Sequence, residues 1–151
     1  MATRVEILAR LGMTMADAFI ACWNTKYTYN LVRPVSYIKR VINPKWEPLL
    51  TTPPFPEYPS GHSDHQSAAA AEVLTQSLGD NFAFESATGQ RDGRKPRSFK
   101  SFRDAANEAA ISRLYGGIHY RAAIERGADQ GRKVAVFTNL LRHGCRNAYG
   151  R

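Results

Sequence analysis

The sequence predicts an all-α fold in one domain, on three observations. Leu8, Leu11, Met15, Phe19 and Trp23 recur at three-to-four spacing within residues 5 to about 32, the period of a helix with one buried face. Ser63 and Gln66 stand at capping-box spacing ahead of Ala68-Ala69-Ala70-Ala71-Glu72-Val73-Leu74, and Gly79 supplies a stop. Two more helical stretches, about Ser101 to Tyr115 and Ile118 to about Arg142, are separated by Gly116-Gly117. A chain of 151 residues, 43% hydrophobic and 23% charged, suffices for one core and does not have the composition of a disordered chain.

In chain order, the first segment reads as one helix or two abutting ones, with Gly12 as the candidate break. Carried onward, its stripe meets Lys26, Asn30 and Arg33, and Pro34 is expected to end the helix. Lys26 and Arg33 lie two turns apart and project from nearly the same side. Two cations aimed at a core either snorkel to solvent or meet an anion, and no carboxylate stands nearby on that face. Residues 34–58 are rich in proline and read as a long ordered loop, with one turn of helix near Val35–Val41. Loops of such length in compact domains are uncommon unless functional. Trp46, Phe55 and Tyr58 are its candidate anchors.

Tyr58-Pro59-Ser60-Gly61-His62-Ser63 follows. Pro59 biases Tyr58 away from helix, Gly61 permits a close backbone approach, and His62 sits at a helix start, where free N–H groups favour an anion. An ordinary Pro-Ser-Gly turn with a surface histidine is the plainer reading. Residues 80–98 read as a second loop, whose basic run Arg91-Asp92-Gly93-Arg94-Lys95-Pro96-Arg97 suits a solvated surface. No aromatics interleave with that run, so no nucleic-acid partner is expected. Ser101 and Asp104 suit the cap and first turn of the next helix, and Ala105, Ala106, Ala109, Ala110 and Leu114 give it a small face. His119 opens the last helix, where Gly127, Ala128 and Gly131 allow close contact and Val134, Ala135, Thr138 and Leu141 offer core. Alone, a histidine beside a Gly-Gly break is as well read as structural or exposed.

The formal charge of +8 and the pI of about 9.8 suit an anionic ligand or surface. Cys22 and Cys145 lie far apart and read as free thiols. No run of 18 apolar residues predicts a membrane span, and no charged-then-apolar leader is visible; the compartment is left open.

Lys26-x6-Arg33-Pro34, then Pro59-Ser60-Gly61-His62, then Ser112-Arg113-x5-His119 occur in that order. The trio resembles the signature of the type 2 phosphatidic acid phosphatase and vanadium-dependent haloperoxidase superfamily, over about residues 15 to 142. The resemblance implies a helical bundle of that type, here a partial one, with one site between helices. It implies that Lys26, Arg33, Ser60, Gly61 and Arg113 hold the oxygens of vanadate or of competing phosphate. It implies that His119 is the axial vanadium ligand, or the nucleophile of a phosphatase, and that His62 is the acid–base group. Lys26 would polarise peroxide. Trp23, Phe55 and the stretch Pro53-Pro54-Phe55-Pro56-x-Tyr58-Pro59-Ser60-Gly61-His62 look like the chloroperoxidase type, which makes Trp23 and Phe55 candidates for a halide pocket.

The expectation is thus peroxide-dependent oxidation of halide to hypohalous acid at a vanadate bound by His119. The alternatives are a soluble acid phosphatase acting on a phosphate monoester and a non-catalytic oxyanion-binding fragment. Membrane lipid phosphatases are disfavoured by the lack of an apolar span. The phosphatase form of the third motif continues His-x3-Asp, and here Ala123 stands in that place. Family haloperoxidases are much longer, which suggests a C-terminal half with an upstream helical half, or a second copy, as partner. A carboxylate partner for His62 from an upstream segment would then be missing.

Overall fold

The computed structural model describes residues 4–148, with side chains described through residue 140. Five α-helices form it: α1 (Arg4–Tyr29), α2 (Pro34–Val41), α3 (Ala70–Leu78), α4 (Phe102–Tyr115) and α5 (Arg121–Ala148). A π-helical turn, Asp64–Ala69, leads directly into α3. This turn is the hub of the bundle, packed against α1, α4 and α5.

Helix α1 is continuous through Gly12. Its buried face is Thr14, Ala18, Cys22 and Lys26, one position before the expected stripe. Leu8 is 66% exposed and Phe19 45%. The reason is close approach. On α5, a Cβ at Gly127 would stand 2.7 Å from the Ser60 carbonyl oxygen, and one at Gly131 would stand 2.5 Å from that of Asp64. Small residues of α1 face the same crowded seam, and large ones cannot enter it.

The chain leaves α1 through Asn30 at φ +46°, so Arg33 is not on that helix. It occupies the N-cap of α2, and Pro34 starts α2 as its first residue rather than ending α1. Lys26 and Arg33 therefore converge through a left-handed turn, not through helical register. The expected capping box at Ser63 is absent: the Ser63 hydroxyl donates to Ser60 Oγ at 2.9 Å. Backbone turns begin earlier, with Asp64 N donating to Ser60 O and Gln66 N to Gly61 O. Gly79, at φ +104°, ends α3 as expected.

Residues 80–98 hold more than a loop. β1 (Phe84–Ser86) and β2 (Arg97–Phe99) pair antiparallel, with Phe84 opposite Phe99. Phe84 and Phe82 both stack on Phe102, which fixes this hairpin to the start of α4. Ser101 caps α4 by accepting from Asp104 N at 3.1 Å. Gly116 and Gly117 end α4, and Gly117 adopts φ +74° against Trp46. Helix α5 starts at Arg121, so His119 lies in the short bent link before it. Cys22 is a buried free thiol; Cys145 and Leu141 lie outside the described side chains. Among the described residues no helix is long and apolar enough to cross a membrane.

Candidate active site

Lys26, Arg33, Glu57 and His119 are all buried, at 0%, 6%, 1% and 4% exposure. They do not snorkel. The Pro-rich loop makes this possible by aiming backbone carbonyls inward. Lys26 Nζ donates to Pro56 O at 2.9 Å, to Glu57 O at 3.2 Å and to Pro59 O. Arg33 donates from Nε to Phe55 O at 2.9 Å, from Nη2 to Pro56 O at 3.3 Å and from Nη1 to Ile118 O at 2.8 Å. Both cations also lie over the Phe55 ring, 5.3 Å and 5.0 Å from its centroid, a favourable placement against the ring quadrupole.

A cavity of about 510 Å³ opens beside them. Lys26, Gly61, His62, Arg113 and His119 line it, with Trp23, Phe55 and Phe19 on its apolar side. All three sequence motifs thus meet in one place. Arg33 and Ser60 are not part of the lining. Arg33 reaches the site from behind, with Nη1 3.2 Å from His119 Nε2. Ser60 is fully buried under Gly61, its N–H donating to Ala123 O and its Oγ accepting from Ser63. Arg113 donates from Nε to Ser112 Oγ at 3.1 Å.

His119 Nδ1 lies 2.9 Å from Glu57 Oε1, which also accepts from Tyr120 N at 2.9 Å. Glu57 is the site residue that the sequence reading missed; it stood at the unassigned place between Pro56 and Tyr58. Its signal was only that a stretch near two buried cations contained one carboxylate. Ala123, at the place of the third-motif Asp, is fully buried and far too short to reach a partner. The carboxylate beside His119 therefore comes from the Pro-rich loop, two residues before the second motif, and not from the third motif.

Electrostatics follow from burial. Lys26 is pushed down to about 8, first by desolvation, with Arg33 lowering it further while Cys22, Glu57 and Asp64 oppose. His62 sits at the cavity mouth and is held below its ordinary value by desolvation, then by Arg113, His119 and His65. His119 is also lowered, chiefly by desolvation, against the pull of its Glu57 hydrogen bond. Behind Lys26 lies a second group the sequence did not single out. Asp64 is fully buried and is pushed up to about 7 by desolvation, with Cys22 and Lys26 opposing; Cys22 is pushed up to about 12, again mainly by desolvation.

This arrangement can do one thing well, which is to hold an anion. Cations and imidazoles converge on one cavity, and the carboxylate touching His119 lies on Nδ1, across the ring from Nε2. A tetrahedral oxyanion would find donors from Arg113 and the Gly61 backbone, with the positive charge of Lys26 beside them, its own N–H groups being held by loop carbonyls. The residues present fit vanadate or phosphate on those grounds.

The family model for the VCPO second helical-bundle domain matches residues 6–45 and 41–143. A bacterial vanadium-dependent iodoperoxidase of known structure is 55% identical, with a TM-score of 0.84, over 87% of this chain and 32% of its own. A holo-type bacterial vanadium-dependent chloroperoxidase is 20% identical, with a TM-score of 0.72, over 85% of this chain and 34% of its own. The apo-type chloroperoxidase structure is 21% identical with a TM-score of 0.66. The two chloroperoxidase structures share the fold at low identity; the nearer sequence match here is to an iodoperoxidase, so the chloroperoxidase-like look of Trp23 and Phe55 does not by itself select chloride. The chain spans about a third of the length of these solved relatives. No curated protein sequence matches it. The chain belongs to the VCPO second helical-bundle domain family, within the phosphatidic acid phosphatase and vanadium haloperoxidase superfamily.

Proposed function

We propose that this chain carries the oxyanion site of a vanadium-dependent haloperoxidase, which oxidises halide with hydrogen peroxide. The net reaction is halide plus hydrogen peroxide plus one proton, giving hypohalous acid and water. The observation that carries the reading is the shared cavity of Lys26, Gly61, His62, Arg113 and His119, with Arg33 on His119 Nε2. Iodide is the favoured halide, because the 55%-identical relative is an iodoperoxidase.

In this reading His119 would hold vanadate through Nε2. Lewis-acid activation of peroxide is the chemistry that a bound vanadate supplies. Arg113 and the Gly61 N–H would donate to the oxygens and orient them, while Lys26, held by loop carbonyls, contributes positive charge. Arg33 sets the height of the His119 ring and adds positive charge from behind. Ser60 acts indirectly, by fixing the Gly61 backbone from beneath. His62, neutral near pH 7 and placed at the mouth, takes and returns the proton that peroxide carries in. Trp23, Phe55 and Phe19 give a polarisable halide an apolar approach.

A phosphatase reading has one specific observation in its favour. Glu57 on His119 Nδ1 supplies the orienting carboxylate that Ala123 lacks, and His119 Nε2 would then attack phosphorus. The test is an orthovanadate titration of wild type and His119→Ala, run beside peroxide-dependent iodide and bromide oxidation and hydrolysis of p-nitrophenyl phosphate. Vanadate binding lost in His119→Ala, with halide oxidation in the wild type, is expected. Hydrolysis without halide oxidation would overturn the ranking, and neither activity nor vanadate binding would leave a non-catalytic fragment.

The partner belongs to the same reading. Val5, Leu8 and Ile20 of α1 and Val136, Phe137 and Leu140 of α5 are exposed. An upstream helical half of a longer chain is the occupant proposed for these apolar faces, since the matched family model is that of a second bundle and the relatives are about three times longer. Sedimentation of the isolated chain is expected to show a monomer. A tight dimer would assign the faces to a second copy instead.

A further inference from the structure

Glu57 does more in this site than neutralise charge. Its Oε1 meets His119 Nδ1 at 2.9 Å and Tyr120 N at 2.9 Å. Its carbonyl accepts from Lys26 Nζ at 3.2 Å, and its N–H donates to Leu31 O at 3.0 Å. One loop residue therefore grips the His119 imidazole through its side chain and the Lys26 ammonium through its backbone. Its fourth tie, to Leu31, runs to the turn that delivers Arg33.

The two neighbours of the His119 ring agree on one tautomer. A guanidinium can only donate, so Arg33 Nη1 requires a lone pair on Nε2. Glu57 Oε1 already accepts from Tyr120 N, and as an acceptor it requires the proton on Nδ1. The proton is thus assigned to Nδ1 and the lone pair to Nε2, where it accepts from Arg33. Ala123 cannot supply this function, and the His119 ring nitrogens meet Glu57 and Arg33.

We propose that Glu57 is the positioning residue of the site, holding His119 in the Nδ1–H form with Nε2 left as the acceptor nitrogen, and holding Lys26 at a fixed distance from it. This replaces, from the Pro-rich loop just before the second motif, a carboxylate that the phosphatase form of the third motif places four residues after the histidine. The proposal deepens the oxyanion-site reading, but its first measurement is independent of it. A carboxylate behind a ligating histidine fixes ring orientation and raises ligand strength, and its loss commonly costs about 10–100-fold in affinity.

The test uses Glu57→Gln and Glu57→Ala beside wild type, with two readouts. The first is 15N NMR of histidine-labelled protein without vanadate, which distinguishes a protonated Nδ1 from a bare one. The second is orthovanadate titration. Wild type is expected to show a protonated Nδ1 and a bare Nε2 at His119. Glu57→Ala is expected to give a mixture of tautomers and vanadate binding weaker by about 10–100-fold. Glu57→Gln, which is isosteric and keeps an acceptor oxygen, is expected to fall between the two. Should Glu57→Ala fail to fold, Glu57→Gln decides the matter by the same spectrum. An unchanged His119 tautomer in a folded variant, with vanadate affinity within about twofold of wild type, would overturn the proposal. A wild type with the expected tautomer that does not bind vanadate would instead sink the oxyanion-site reading and leave the grip of Glu57 on His119 standing.

Discussion

Arg33 and Arg97 carry the same guanidinium into opposite settings. Arg33 is 6% exposed and spends its donors on three backbone carbonyls and one imidazole nitrogen. Arg97 lies on the β1–β2 hairpin with a side chain 65% exposed, and it pairs with Glu108 at 2.6 Å across the surface. Taking a cation out of water is expensive, while leaving one at the surface costs almost nothing. A chain that buries Lys26 and Arg33 side by side, with carbonyls as their main partners, is stabilised there only if something else is gained. In an anion site that gain comes on binding. The hairpin carries ordinary solvated charge, whereas the Pro-rich loop's carbonyls hold two cations in a buried positive field.

The comparison can be broken most forcefully at Arg33. Arg33→Ala leaves the Phe55, Pro56 and Ile118 carbonyls without that donor, and it also removes a costly buried cation. Because several charge-assisted hydrogen bonds are lost at once, the net is an expected loss of about 3 kcal/mol in denaturant unfolding. Next comes pH. Lys26 is pushed down to about 8 in the anion-free site, below its value in the unfolded chain. The unfolded chain therefore holds the extra proton between about 8 and 10.5, so this group makes stability rise with pH across that window. Anion binding has the opposite sense. It is favoured while Lys26 is charged and weakens as pH climbs through about 8, so orthovanadate affinity measured from pH 7 to 10 is expected to fall more steeply in wild type than in Lys26→Met. The smallest effect belongs to the hairpin: Arg97→Ala is expected to change unfolding free energy by less than about 1 kcal/mol and to leave vanadate affinity unchanged. If Arg33→Ala and Arg97→Ala proved equally mild, the contrast between the two regions would be lost.

How much of this was legible in the sequence differs by type of signal. The motifs are short and chemically distinctive, and one residue or more of each lines the shared cavity, while Arg33 and Ser60 stand behind it. The helices around Ser101 and Gly79 were legible from their caps, which are local. The buried face of α1 was read one residue out, because the rule that large apolar residues point inward fails where helices nearly touch. There Thr14, Ala18 and Cys22 go in, while Phe19 and Trp23 turn to the cavity wall. The hairpin was invisible because three-residue strands give no alternation to count, and its anchor, Phe84 and Phe82 on Phe102, is a tertiary contact. Glu57 escaped for the same reason. Nothing local marks a loop glutamate as the partner of a histidine 62 positions away.

One consequence follows from how Lys26 is held. Its three partners are main-chain oxygens of residues 56, 57 and 59, not side chains. The ammonium therefore recognises the path of the loop and is indifferent to most of what the loop displays. Residues there can drift toward new substrates while the cation stays anchored, provided the curve of the backbone is kept.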